Sequence, residues 1–291
     1  MEGYANLIVE QEGPLLWVRI NRPDVLNAYT NELGAELVRA FGQADADDSV
    51  AVVVLTATGR VFCAGADVSA GAGAFDTKSG EGAKNFGNRA DGARADSNFI
   101  AAMMNCRKPS LVAFNGSAAG VGLTLTLPCD IRIAADSAKF GCVFTRRGLV
   151  PEAGSAWFLP RLVGLSTALK WCMTGALVPA SEALAAGLIS ETVPADQVES
   201  RARELALEIA QNCSGVALAL TRRMLWHFSG EAGPGGALSV DAALNIALGA
   251  KGDVHEGVSA FLEKRAPRFP LTVSADMPET PWWPDRPDLP R

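Results

Sequence analysis

Two kinds of apolar spacing divide the chain. Up to about residue 195, short unbroken apolar runs alternate with turns; beyond it, apolar residues recur at helical spacing. Leu7–Glu10 and Leu15–Ile20 read as two strands joined by a turn, Gln11-Glu12-Gly13-Pro14. Thr30 is placed to cap a helix running to about Ala44, with Leu33, Leu37, Val38 and Phe41 on one face. Ala51–Leu55 is apolar and rich in β-branched residues, the pattern of a strand buried on both sides. Strand, helix and strand of these lengths imply a right-handed crossover. A helix over Phe99–Asn105 ends at Lys108-Pro109, and Ser110–Phe114 is the next strand. Cys129–Ala134 is a further strand and Lys139–Gly141 a short extended piece. Helices over Ser166–Thr174 and Ser181–Ala186 are each closed by a glycine, Gly175 and Gly187. Ile189–Val193 is a last strand-like run before helices at 195–211, 215–228 and 237–250 and a short one to Arg265.

Two segments stand outside these patterns. Residues 69–97 are rich in Gly, Ala, Asp, Asn and Lys, with Phe75 and Phe86 as their large apolar residues. A loop this long is either functional or a tolerated insertion, and its place after a glycine turn favours a pocket wall. The end of the chain, from Met277, is rich in proline and carries Trp282-Trp283, which we expect to pack on the body or on a neighbouring subunit. The organisation expected is an α/β core over 1–195, a helical region over 196–266 and a Pro/Trp-rich tail over 267–291.

Composition narrows the function. Of 291 residues, 48% are apolar, enough for a large core, yet no apolar stretch reaches the roughly 18 residues of a membrane span. The net charge of −6, without a basic cluster on any predicted helix, argues against nucleic acid as a partner. Six scattered cysteines with no Cys-x-x-Cys pair, and two distant histidines (His227 and His255), give no metal site or disulfide framework. With no basic-then-apolar leader, a cytoplasmic location is expected.

The candidate chemistry lies in two turns of small residues, each following a buried strand: Phe62-Cys63-Ala64-Gly65-Ala66-Asp67 and Asn115-Gly116-Ser117-Ala118-Ala119-Gly120-Val121-Gly122. Strand-to-helix turns of this kind leave backbone N–H groups unpaired, where an oxyanion or a phosphate fits. A dinucleotide fold fails on detail, because the second turn comes late and no acidic residue follows at the required spacing.

These turns belong to a longer set of motifs: Asn21-Arg22-Pro23 with Asn27-Ala28, Val61 to Asp67, Asn115 to Gly122, Cys129-Asp130-Ile131, and Phe261 to Arg265. Together they resemble the enoyl-CoA hydratase/isomerase (crotonase) superfamily over about residues 5–266. The resemblance implies an α/β fold, a ClpP-like spiral of ββα units in two nearly perpendicular sheets. It also implies a C-terminal α-helical trimerisation region, assembly as a homotrimer or dimer of trimers, and an acyl-CoA thioester as substrate. No separate cofactor is implied, since coenzyme A is part of the substrate, and no membrane or nucleic-acid partner.

The resemblance assigns the thioester oxygen to two backbone amides, those of Ala66 and Val121. Ala64, Gly65, Asp67, Val68 and Gly120 line the turns that carry them. Hydratases of the family carry two glutamates, whose positions fall here on Thr124 and Phe144. Glu152, in Val150-Pro151-Glu152-Ala153-Gly154-Ser155, instead resembles the single glutamate of delta-3, delta-2-enoyl-CoA isomerases. That reaction needs one base, taking a proton from C2 and returning it at C4. Phe144, Leu149, Val150, Trp157 and Phe158 are expected as an apolar wall that raises its pKa, with Trp157 also touching substrate. The competing reading has Glu152 capping a helix that starts near Gly154. Lys264, and more weakly Arg22, match positions that reach the CoA nucleotide; Asp67 also reads as a brace of its own turn, and Asp130 and Asp136 as strand-end and turn residues. Isomerisation of a 3-enoyl-CoA is the first reading, hydration or another crotonase-type reaction the second, and a catalytically silent acyl-CoA-binding protein the third.

Overall fold

The computed structural model describes residues 3–76, 78, 80 and 98–283. Most of the 69–97 segment, Phe86 included, and the tail beyond Trp283 lie outside the described residues. Strands β1 (Leu7–Glu12) and β2 (Leu15–Ile20) form a hairpin with Glu12 paired to Leu15. The turn is tighter than expected: Gln11 and Glu12 belong to the strand, and Gly13 adopts φ +55° to close it. Next come helix α1 (Asn31–Ala46), β3 (Val52–Ala57), α2 (Phe99–Asn105) and β4 (Ser110–Phe114). Thr30 caps α1 as expected, its hydroxyl accepting the Leu33 N–H. The second glycine turn holds β5 (Ala118–Ala119) and α3 (Val121–Thr124), followed by β6 (Ile131–Ala135) and β7 (Lys139–Gly141). Helices α4 (Ser155–Val163) and α5 (Leu165–Thr174), β8 (Leu177–Pro179), α6 (Ala180–Ala185) and β9 (Glu191–Val193) complete the α/β part.

Two sheets result. The larger runs β1-β2-β3-β4-β6-β9, antiparallel at the hairpin and parallel at every other step; the smaller runs β5-β7-β8. The fully buried residues of β3 and β4 match their unbroken apolar sequence, as strands covered on both faces require. Phe62, Phe114 and Phe140 meet edge-to-face where the two sheets approach, with centroids 4.7 and 5.0 Å apart.

The C-terminal part consists of α7 (Val198–Asn212), α8 (Gly215–Phe228), α9 (Gly235–Gly249), α10 (Gly252–Glu263) and a short α11 (Val273–Asp276). Helix α7 packs on β2, β3, β4 and β6 and so covers the larger sheet. One ion pair fixes α8 to the core. Arg222 donates from Nε to both oxygens of Asp130, at 2.7 and 2.9 Å, from Nη1 to the carbonyls of Met104 and Cys106, and from Nη2 to those of Met103 and Pro128. Asp130 also accepts the amide and hydroxyl of Ser110 and, at 3.4 Å, the Trp226 indole N–H. Trp283 is buried and Trp282 stacks on Phe228 at 5.7 Å, so the described start of the tail packs on the chain's own body.

Among the described residues, no helix is long and apolar enough to cross a membrane.

Candidate active site

The two glycine turns lie side by side because the backbone pairs them. Phe62 and Cys63 N–H groups both bond the Ser117 carbonyl, the Ala119 N–H bonds the Cys63 carbonyl, and Cys63 and Ala118 form a parallel bridge. Contact is closest at the glycines. A side chain on Gly122 would place its Cβ 2.4 Å from the Cys63 oxygen, so only glycine fits there. Gly65, at φ +111°, would bring a Cβ 3.1 Å from the Ala119 oxygen.

The motif residues around these turns hold the first one in place. Asn27, itself at φ +56° and buried, donates to the carbonyls of Thr58 and Val61 at 2.8 Å each and accepts the Arg22 N–H at 2.7 Å. Asn115 donates to the Gly59 carbonyl at 2.8 Å, and Gly116 lies against Arg60, with room for no Cβ. The loop that leads into Cys63 is thereby clamped from two sides.

The amides assigned to the substrate oxygen are unpaired. Tyr29 and Ala66 form a parallel bridge, in which Tyr29 bonds the Gly65 carbonyl and the Asp67 N–H. That pattern turns the N–H of Ala66 itself away from Tyr29. Val121 opens α3, so its N–H has no acceptor within the helix. Neither amide bonds another backbone group among the described residues.

Glu152 is brought to this place by its backbone. Ala153 and Gly154 follow it with φ +53° and +70°, two left-handed residues in succession, before α4 begins at Ser155. For alanine this conformation is uncommon and costs free energy, which packing must offset. Its side chain does not cap α4. Instead the Thr124 hydroxyl donates to Glu152 Oε1 at 2.6 Å. The competing helix-cap reading is thereby corrected: only the Glu152 carbonyl serves the helix start, accepting the Ser155 N–H at 2.9 Å.

Glu152 as a whole is exposed, but its carboxylate turns inward to a threonine that is 1% exposed. Burial pushes the Glu152 carboxyl above the usual carboxylate range, and the Thr124 hydrogen bond works in the opposite direction without cancelling it. The apolar wall differs in part from expectation. Phe144 and Phe158 are buried, Leu149 is partly so, Trp157 is 39% exposed, and Val150 faces solvent at 77%. Trp157 lies edge-on to Phe158 at 4.9 Å and beneath the Arg161 guanidinium at 4.0 Å.

The remaining predicted residues divide into braces and outliers. Asp67 accepts Arg22 at 3.1 Å and the Ser69 N–H at 3.1 Å. Burial alone pushes its carboxyl up, but these hydrogen bonds outweigh that and hold it below the usual range. Arg22 also donates to the Ala28 carbonyl, so its guanidinium ties the first turn together. Ala64 and Val68 are exposed beside that turn, and Gly120 is buried at φ +53°. Lys264 lies exposed at the end of α10, at φ +55°, with no described hydrogen bond linking its side chain to the turns.

Sequence reasoning gave no role to Tyr29. Its ring is buried, meets Phe99 edge-on at 5.6 Å, and places its hydroxyl where a Cβ on Gly34 would fall, 2.3 Å away. Burial first, then the charge of Glu152, raises the phenol pKa, so Tyr29 belongs to the surroundings of the carboxylate. A glycine in the interior of a helix, where alanine is favoured by about 1 kcal/mol, was the signal in the sequence.

Comparison with known proteins agrees with the family. The enoyl-CoA hydratase/isomerase family model matches residues 10–271. The chain is 42% identical over 249 residues to the enoyl-CoA hydratase ACTT3 of Alternaria alternata, covering 85% of this chain and 80% of that protein. It is 32% identical over 264 residues to the 1,2-epoxyphenylacetyl-CoA isomerase of Escherichia coli, covering 89% and 95%. The crystal structure of an enoyl-CoA hydratase from Bacillus anthracis superposes with a TM-score of 0.78 at 30% identity, over 91% of this chain and 98% of that one. The protein is therefore a member of the enoyl-CoA hydratase/isomerase family, with its crotonase fold. Among relatives at this level hydratase names predominate, so the narrower expectation of an isomerase subgroup is not carried by the names.

Proposed function

We propose that the protein shifts the double bond of a 3-enoyl-CoA into conjugation, giving a 2-trans-enoyl-CoA. The amides of Ala66 and Val121 hold the thioester oxygen, and each such donor lowers the barrier by roughly 2.7–4 kcal/mol. Glu152 takes the C2 proton; the electron pair spreads over the thioester and the former double bond; Glu152 then returns the proton at C4. One observation carries this reading. Where hydratases of the family place a glutamate, Thr124 stands, and its hydroxyl is spent on Glu152. Among the described residues Glu152 is the carboxylate that α3 holds, and its raised pKa suits a base which must also give the proton back.

Hydration is the second reading, favoured by the names of the relatives. The two are separated by mixing the protein with a 3-enoyl-CoA and following the ultraviolet absorbance of the conjugated thioester, for wild type and Glu152→Gln. Conjugation appearing with wild type and lost in the variant supports isomerisation. Loss of absorbance from a 2-enoyl-CoA, with no conversion of the 3-enoyl ester, supports hydration instead.

The reading extends to assembly. Ile246, Phe261 and Leu262 are 72–81% exposed on α9 and α10, an apolar surface that a homotrimer or dimer of trimers would cover. Lys264 then stands at the edge of a neighbouring subunit, where a CoA phosphate would meet it.

A further inference from the structure

We propose that Thr124 is the positioning residue of the base: its hydroxyl fixes one oxygen of Glu152 and leaves the other as the proton carrier. This inference rests on the reading of Glu152 as the base.

Thr124 belongs to α3, which is a single turn. Its N–H bonds the Gly120 carbonyl at 3.0 Å, as does that of Leu123, and its side chain is 1% exposed. Val121 and Thr124 are three residues apart on that turn and so share a face. The amide offered to the thioester oxygen and the hydroxyl that grips the base therefore ride on one rigid unit. Gly122, pressed against Cys63, registers that unit on the turn carrying Ala66. The separation between the oxygen end of the substrate and the base at C2 is therefore constrained from α3, through the Thr124 hydroxyl, as well as from the loop that carries Glu152.

The hydrogen bond has a direction. Glu152 accepts at Oε1, the only side-chain hydrogen bond described for it, so Oε2 remains for the substrate. A carboxylate held at one oxygen presents the other at a fixed angle, and the same oxygen then serves at C2 and at C4. The donor also favours the charged form over the protonated one, which keeps a desolvated carboxylate ionised enough to act as a base.

Thr124→Val keeps the shape and removes the donor; Thr124→Ser restores the donor without the methyl group. We expect Thr124→Val to lower kcat roughly tenfold or more, the worth of a hydrogen bond to a charged group, with KM little changed. The acid limb of its pH profile should move to higher pH, and Thr124→Ser should recover both. Infrared difference spectra against Glu152→Gln read the Glu152 carboxyl directly, without turnover, and should show its titration moving up in Thr124→Val. If Glu152→Gln is inactive but Thr124→Val matches wild type in kcat, pH profile and infrared titration, Thr124 is a filler and the proposal is overturned. If Glu152→Gln keeps full activity, the base assignment fails first and this inference with it.

Discussion

Two acids, Asp130 and Glu152, show how one chain uses a carboxylate in opposite ways. Asp130 is saturated: Arg222, both donors of Ser110 and the Trp226 indole converge on it. Among the described residues Glu152 receives a single hydroxyl, and burial leaves it less acidic than in water. The first arrangement stabilises the charge and gains attachment of α8 to the core; the second leaves the charge under-stabilised and reactive. Trp226 touches both regions, donating to Asp130 and lying 5.9 Å from Trp157, on the first turn of α4. A charged residue in this fold is thus better classified by how many donors it has than by how deep it lies.

The comparison breaks most sharply in turnover. Replacing a positioned general base costs about 10²–10⁴-fold in rate, so Glu152→Gln should lose activity on that scale while unfolding at a denaturant concentration close to wild type. Asp130→Ala should do the reverse. Leaving the Arg222 charge buried and unpaired costs about 3–5 kcal/mol, visible as a lowered denaturant midpoint with the pH profile of the remaining activity unmoved. An Asp130→Ala protein that is as stable as wild type would dissolve the distinction. Gly34→Ala should cost about 1–3 kcal/mol through overpacking, because the new methyl group meets the Tyr29 hydroxyl. A neutral result there would mean that the Tyr29 ring shifts to admit the methyl group.

The smallest effect is one of sign. The Glu152 pKa is raised on folding, so the folded state holds that proton more tightly than the unfolded chain. Its contribution to stability is full below the usual carboxylate range and is lost as pH rises through the folded pKa. Glu152→Gln should therefore melt slightly above wild type at neutral pH, with the gain fading in acid, which thermal unfolding across pH would register. Asp130→Ala should be less stable than wild type at neutral pH, the opposite direction.

Much of the scaffold was legible. β2 and β4 fall on their predicted residues, and Thr30 caps its helix, because each depends on neighbours in sequence. The helix expected after the second glycine turn is shorter than a strand-to-helix turn implies: Val121–Thr124 form one helical turn and 125–128 are tight turns, since burial on all sides leaves no periodicity to distinguish them. The site was legible as a set of residues but not as contacts. Thr124 and Glu152 are 28 residues apart, and only the left-handed pair Ala153-Gly154 turns one toward the other. The grip of Arg222 on Asp130 spans 92 residues, and no local pattern announces it. Tyr29 was passed over because its motif neighbours, Asn27 and Ala28, drew the reading toward backbone geometry.

The placement of Trp157 has a practical consequence for watching the protein at work. Of the chain's six tryptophans, Trp17, Trp171 and Trp283 are buried and Trp226 and Trp282 are half-covered, whereas Trp157 is 39% exposed. A water-soluble fluorescence quencher will therefore reach this indole first. An acyl chain that settles beside it would shield it, so the unmodified protein carries its own optical gauge of occupancy.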